Sequence, residues 1–227
     1  MGLIGENGAG KSTTIKAITG AVHPDGGEIT VLGCDTQTEQ YTKRKEQIGV
    51  VMDEACFPEI LTPKQVNGIM KSVFSNWQEK VYYGYLERFG LPQNKAFKEF
   101  SRGMKMKLSI AVALSHEARL LILDEATSGL DPIVRDEILE VFNDFTRDEE
   151  HSILISSHIV SDLEKICDYI AFIHKGKLLF SEEKDTLLEQ YGLLSVRAAD
   201  FEAIRPEAVL SSRNTGYGVE ALVRRDM

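Results

Sequence analysis

Cysteine is scarce in this chain. Cys34, Cys56 and Cys167 are its only three; they lack the paired spacing of a metal site, and an odd count does not build a disulfide framework. They read as packing residues in a reducing compartment. Long apolar runs are missing too: no stretch approaches the ~18 apolar residues of a membrane span, and no secretory signal opens the chain. The expectation is a cytoplasmic protein. Positive charge is also short, with 26 Lys and Arg against 35 Asp and Glu and a formal net charge of −9, which argues against nucleic acid as a partner. Internal repeats and low-complexity segments do not occur. The 227 residues, 43% of them hydrophobic and 27% charged, suffice for one well-cored domain with a subdomain.

Against that background one stretch carries chemistry. Gly5-Glu6-Asn7-Gly8-Ala9-Gly10-Lys11-Ser12 fits G-x-x-x-x-G-K-[ST], the phosphate-binding loop. Its glycines let the backbone curl so that the N–H groups around Asn7, Gly8, Ala9, Gly10 and on to Thr13 turn toward phosphate oxygens. Lys11 brings a full positive charge to the β- and γ-phosphates, and the Ser12 hydroxyl can ligate Mg²⁺. Gly2-Leu3-Ile4 reads as the end of a buried strand, and Lys11 to Thr19 as a helix whose positive end faces the anion. A chance match is the competing reading, and the flanking strand and helix weigh against it. The chain is expected to bind a nucleoside triphosphate.

The pattern then alternates. Gly20 stops the first helix, His23 to Gly27 is a turn, and Glu28 to Gly33 alternates like a half-exposed strand. Ile48 to Met52 is short and continuously apolar, as in a buried parallel strand. From Thr62, an N-cap followed by Pro63, the apolar residues Val66, Ile69, Met70, Val73 and Phe74 fall at helical spacing. Further helices are expected around Glu79 to Phe89 and from Ser101, making about 61–118 a helical insert. Leu120 to Asp124 is again a buried strand. Pro132 opens a helix striped by Val134, Ile138, Val141, Phe142 and Phe145. Ser152 to His158 is another strand, followed by a helix through Cys167, and Lys175-Gly176 turns a hairpin. The expected class is α/β with a mainly parallel sheet, antiparallel β elements and an inserted helical subdomain.

Asp124-Glu125 ends an apolar strand, where ligands of parallel sheets gather. Asp124 can hold Mg²⁺ beside Ser12, and Glu125 can act as general base on a water. Alone, the pair would more often be a solvated acidic turn; the upstream phosphate loop reverses those odds. His158, beyond a second buried strand, could bond the γ-phosphate or orient Glu125 and the water; a lone strand-end histidine is more often structural, but its place just after Ser156-Ser157 at the same sheet edge favours the functional reading.

With these residues in order, the chain resembles the ATP-binding cassette (ABC) transporter ATPases, the P-loop NTPases of membrane transport, from Gly2 to about Leu187. Phe100-Ser101-Arg102-Gly103-Met104 sits where that family has its signature. Leu120 to Asp124 is similar to Walker B with Glu125 as catalytic carboxylate, Ser128-Gly129-Leu130-Asp131 to the D-loop, and His158 to the switch histidine. The resemblance implies an ATP- and Mg²⁺-dependent ATPase over residues 1–192, and a small strand-rich extension is expected at 193–227. Its partners would be a separate transmembrane permease and a second cassette, identical or not. Two cassettes would sandwich ATP between one phosphate loop and the other's Ser101, Arg102, Gly103 and Met104. Met104-Lys105 and Gly176-Lys177-Leu178 resemble bacterial cassettes that export drugs or antimicrobial peptides. The place implied is the inner face of the cell membrane.

Three departures stand out. Asp53 occupies the position of the family's Q-loop glutamine and is expected to join Ser12 and Asp124 around the metal. Arg102 replaces the first signature glycine, where it could crowd the nucleotide or help hold phosphate. Four residues precede the phosphate loop, where the resemblance implies earlier strands and an adenine-stacking aromatic; a chain trimmed at both ends, with weak and base-indifferent nucleotide binding, is expected. Rival readings are a soluble cassette ATPase of DNA repair or translation, a small GTPase or kinase, and a catalytically silent binding module. The acidity and the single cassette weigh against the first. The missing N-K-x-D motif weighs against the second, since Asn94-Lys95-Ala96-Phe97 lacks the acid.

Overall fold

A computed structural model describes residues 1–53, 57–201 and 203–225; Cys56 lies outside them, while Cys34 and Cys167 are free and buried. Three residues form β1 (Gly2–Ile4), and the phosphate-loop sequence leads from it into α1 (Lys11–Ile18). The expected strand from Glu28 to Gly33 is corrected. Only Thr30–Val31 (β2) is strand, and Leu32 and Gly33 take positive φ of 48° and 73°. Such a two-residue turn suits a hairpin, and the chain returns as β3 (Cys34–Asp35), paired with β2 alone. A short helix, α2 (Glu39–Arg44), precedes β4 (Ile48–Val51).

The insert comprises α3 (Pro63–Val73), α4 (Glu79–Arg88) and α5 (Arg102–Ala113). Thr62 caps α3 in a reciprocal box: its hydroxyl accepts from Gln65 N–H, and the Gln65 side chain accepts from Thr62 N–H. The apolar stripe of α3 is only partly buried. Val66 is fully enclosed, whereas Ile69 and Val73 are 43% and 61% exposed. In α5 every residue from Met106 to Ala113 is buried, and Lys107 meets that environment through an ion pair of 2.6 Å with Glu137.

The remaining elements are β5 (Leu120–Asp124), α6 (Pro132–Phe145), β6 (Ser152–Ser156), α7 (Val160–Ile166), β7 (Tyr169–His174), β8 (Lys177–Glu183) and α8 (Lys184–Gln190). Cys167 ends α7 in an extended conformation rather than continuing it. The main sheet has the order β4-β5-β6-β1-β7-β8; its first five strands run parallel and β8 antiparallel. Leu121, Ile122 and Leu123 of β5 are 0–1% exposed, each worth roughly 1.5–3 kcal/mol of burial. After α8 come β9 (Tyr191–Val196), α9 (Ala198–Phe201), β10 (Val209–Thr215) and β11 (Gly218–Arg224), the three strands forming a separate antiparallel sheet, β10-β11-β9. Among the described residues no helix is long and apolar enough to cross a membrane.

Candidate functional site

Because β5, β6 and β1 are neighbours and parallel, their carboxyl ends deliver Asp124, Ser156 and the phosphate loop to one edge of the sheet. The loop is moulded by contacts that only certain residues permit. A Cβ on Gly5 would stand 2.4 Å from the Ile173 carbonyl oxygen. Gly10 holds φ at +114° at the start of α1, a region other residues enter only with strain. The turn between β7 and β8 braces the loop from behind, Gly176 N–H donating to Ala9 O at 2.9 Å.

Lys11 is 5% exposed, and its Nζ donates to Gly5 O at 2.8 Å. The same Nζ lies 3.6 Å from Glu125 Oε1, while His158 Nδ1 donates to Glu125 Oε2 at 2.6 Å. One carboxylate thus receives a cation on one oxygen and an imidazole on the other. Glu125 also has φ of +52°, uncommon for a residue with a side chain. Its N–H is fixed by Ser156, donating to both the carbonyl oxygen and Oγ of that residue at 3.1 Å. Ser156 Oγ–H in turn donates to Asp124 Oδ1 at 2.6 Å, with both residues buried. Ser156 therefore sets the spacing of the two acids. Sequence reading passed over this role; its one signal is a hydroxyl in a buried apolar strand, opposite Asp124 in the parallel register.

A cleft of about 430 Å³ gathers most of the expected residues: Asn7, Gly8, Gly10, Lys11, Ser12 and Thr13 along one side, with Asp53, Glu125, Ser128 and His158 facing them. Ala9 and Asp124 are buried behind that lining, each 4% exposed. Ser101, Arg102, Gly103, Met104 and Asp131 do not line it. Ser101 caps α5, its Oγ accepting from Met104 N–H at 3.3 Å, and Asp131 caps α6, its Oδ1 accepting from Val134 N–H at 3.0 Å. Asp53 is engaged: its Oδ1 accepts from Arg102 Nη2 at 2.7 Å. The hydroxyl of Ser12 and the carboxylates of Asp53 and Asp124 are hard oxygen donors of the kind Mg²⁺ takes. Among the described residues no cluster of three or more His, Cys, Asp or Glu makes a cage without other ligands.

A larger cleft of about 590 Å³ lies elsewhere, bounded by α2, β4 and α3 and lined by Tyr41, Lys45, Val50, Met70, Val73 and His116 among others. Val50 is 40% exposed on its wall. His116 is buried and stacks on Phe74 with ring centroids 4.1 Å apart, its Nδ1–H donating to Glu46 O at 2.9 Å. Burial pushes its pKa below the ordinary histidine value, the bond to Glu46 opposing this. The greater volume of this cleft does not make it the chemical centre, since the acids and the ammonium converge at the smaller one.

The sequence profile described as "ABC transporter" matches residues 1–128. Among curated proteins, the chain is 37% identical to the bacitracin transport ATP-binding protein BcrA of Bacillus licheniformis, over 78% of this chain and 58% of that protein. It is 36% identical to the lantibiotic transport ATP-binding protein SrtF of Streptococcus pyogenes, over 81% of this chain and 78% of that one. The chain thus spans little more than half the length of the first of these relatives. Among solved structures, the ATP-binding subunit of an ABC transporter superposes with a TM-score of 0.74 at 31% identity, covering 82% of this chain and 79% of the other. A dimeric cassette, MJ0796, bound to ADP and Pi, shares the fold with a TM-score of 0.71 at 19% identity, over 80% and 84% of the two chains.

Proposed function

The chain belongs to the ABC transporter family of ATP-binding proteins, and from that premise we propose that it binds and hydrolyses ATP to drive export through a separate membrane permease. The observation that carries this reading is the placement of Glu125 between Lys11 and His158 at the mouth of the phosphate loop. Loop amides and the Lys11 ammonium hold the polyphosphate. Ser12, Asp124 and Asp53 would hold Mg²⁺, which would supply charge neutralisation to the polyphosphate. Glu125, oriented by the His158 N–H, takes a proton from water as the water oxygen attacks the γ-phosphorus. The bond from that phosphorus to the β–γ bridging oxygen breaks and ADP leaves.

Ser101, Arg102, Gly103 and Met104 stand outside the chain's own cleft. This supports a reading in which the positive end of α5 meets a nucleotide held by a second cassette, identical or not. The D-loop residues Ser128 and Asp131 belong to the same contact. The cleft beside α3, with Val50 and Val73 exposed on its wall, is an apolar seat for the permease, and docking there would hold the protein at the inner face of the membrane. Peptide antibiotics are the proposed cargo, on the strength of the bacitracin and lantibiotic relatives. Residues 1–192 form the ATPase unit and 193–227 an extension to it, although β9 begins at Tyr191.

Phosphate release by the purified chain with Mg-ATP, measured beside Glu125→Gln, tests the hydrolytic reading. Turnover that depends on Glu125 supports it, and turnover indifferent to that residue overturns it.

A further inference from the structure

Two positions where the chain departs from its family's pattern touch each other. Arg102 Nη2 donates to Asp53 Oδ1 at 2.7 Å, with the side chains 54% and 49% exposed. The guanidinium lies against the backbone of Gly129 between β5 and α6: a Cβ there would stand 2.8 Å from Arg102 Nη1 and 3.0 Å from Cζ. Any side chain at position 129 would displace it. One arginine at the head of α5 therefore joins the segment after β4 to the Ser128–Asp131 turn.

An exposed bridge of this kind contributes little to stability, so its meaning lies in charge. Among the described residues lining the phosphate-loop cleft, the charged side chains are Lys11 on one side and Asp53 and Glu125 on the other. A polyphosphate entering there meets two carboxylates and one ammonium. Glu125 already faces Lys11. Asp53 has Arg102, which lies outside the lining and needs no contact with the ligand to act. We infer that Arg102 is a positioning residue for nucleotide admission. It neutralises Asp53 and fixes that carboxylate at the cleft mouth, so that an acid is tolerated beside an incoming metal–nucleoside triphosphate. The inference rests on the nucleotide-binding reading above.

A double-mutant cycle tests it, with Arg102→Gln, Asp53→Asn and both together, reading the affinity of the full chain for Mg-ATP by calorimetry at low and high salt. Arg102→Gln weakens binding about three- to tenfold, more at low salt, and raises KM. Asp53→Asn sets its own baseline, because it also loses an oxygen offered to the metal, and adding Arg102→Gln to it costs no more than about twofold. Arg102→Lys retains most of the wild-type affinity because it keeps the charge. An equal loss on removing Arg102 in the wild-type and Asp53→Asn backgrounds would mean that arginine acts on the nucleotide itself, and overturns the inference alone. So does an Arg102→Gln variant that binds like wild type. A wild-type chain that binds no Mg-ATP overturns the inference together with the function it rests on.

Discussion

Glu125 Oε2 accepts from His158 Nδ1–H at 2.6 Å, across 33 residues of sequence. The two side chains stand at the carboxyl ends of adjacent parallel strands, so the sheet itself brings them together. With Nδ1 donating, the imidazole fixes which way the carboxylate points and leaves its other oxygen toward Lys11 at 3.6 Å.

Removing the proposed proton acceptor while keeping its shape separates binding from chemistry. Glu125→Gln is expected to lower steady-state phosphate release by about a hundredfold or more and to leave Mg-ATP affinity within a few-fold of wild type. His158→Ala is expected to reduce turnover in the same direction, because the carboxylate loses its orientation. Calorimetry alongside a phosphate-release assay reads both effects.

Ser156→Ala removes a hydroxyl that donates to Asp124 and accepts from Glu125 N–H, leaving the Asp124 oxygen without that partner in the core. A loss of about 1–3 kcal/mol in stability is expected, measured by urea unfolding. The Mg²⁺ concentration needed for half-maximal turnover should rise as Asp124 loses its fixed geometry.

Gly49 is the thin point where β4 passes α5. A Cβ there would stand 2.6 Å from Leu121 Cδ2 and 2.7 Å from Ala113 O, a backbone atom with little room to retreat. Gly49→Ala is expected to destabilise the chain by about 1–3 kcal/mol. A denaturation midpoint equal to that of wild type would mean that the close approach is relaxed in solution.

Acid sensitivity should trace to His116. Burial keeps its ring neutral below the ordinary value of 6.5, at pH values where the unfolded chain has already taken up a proton. The unfolded state then binds more protons, so this stability is complete above about pH 7 and is lost as pH falls below 6.5. The slope is bounded by ~1.4 kcal/mol per pH unit, the limit for one proton. His116→Phe keeps a ring against Phe74, and its unfolding free energy between pH 7.5 and 5.5 should be flatter than that of wild type. Glu79 and Asp144, whose carboxyl pKa values are held down chiefly by hydrogen bonds from Lys71 and Arg88, act only in more acidic solution.

Exposed Val73 offers a test of permease docking. Val73→Glu places a charge on the apolar wall of the larger cleft and is expected to weaken pull-down of the partner permease about tenfold or more. Intrinsic nucleotide affinity should be unchanged.

The parallel core was legible because strands buried on both faces are written as continuous apolar runs: Leu120 to Leu123 and Ile153 to Ile155 announce themselves. Helix starts were equally readable, since Thr62 and Ser101 lie one residue before their helices and Pro132 opens its own, although the capping role of Asp131 shows only in the structure. The hairpin at Thr30 was misread as a single strand because its turn contains Leu32, a residue that does not advertise positive φ. The stripe on α3 gave the helix but not its surroundings; periodicity cannot tell an apolar face that packs from one left open. Position along the chain identified Asp53 and Arg102 as departures, and only the fold shows that the two meet.

β1 pairs with β6 on one side and β7 on the other, and the loop after it leans on Ile173 and Gly176. During synthesis β1 leaves the ribosome before either strand partner is made. It must wait for Ile155 and Ile170 to emerge before it has edges to pair with, the kind of long-range closure that slows folding. The phosphate-binding loop is therefore translated well ahead of its supports. A nascent chain cut short before residue 176 would lack the N–H that braces Ala9.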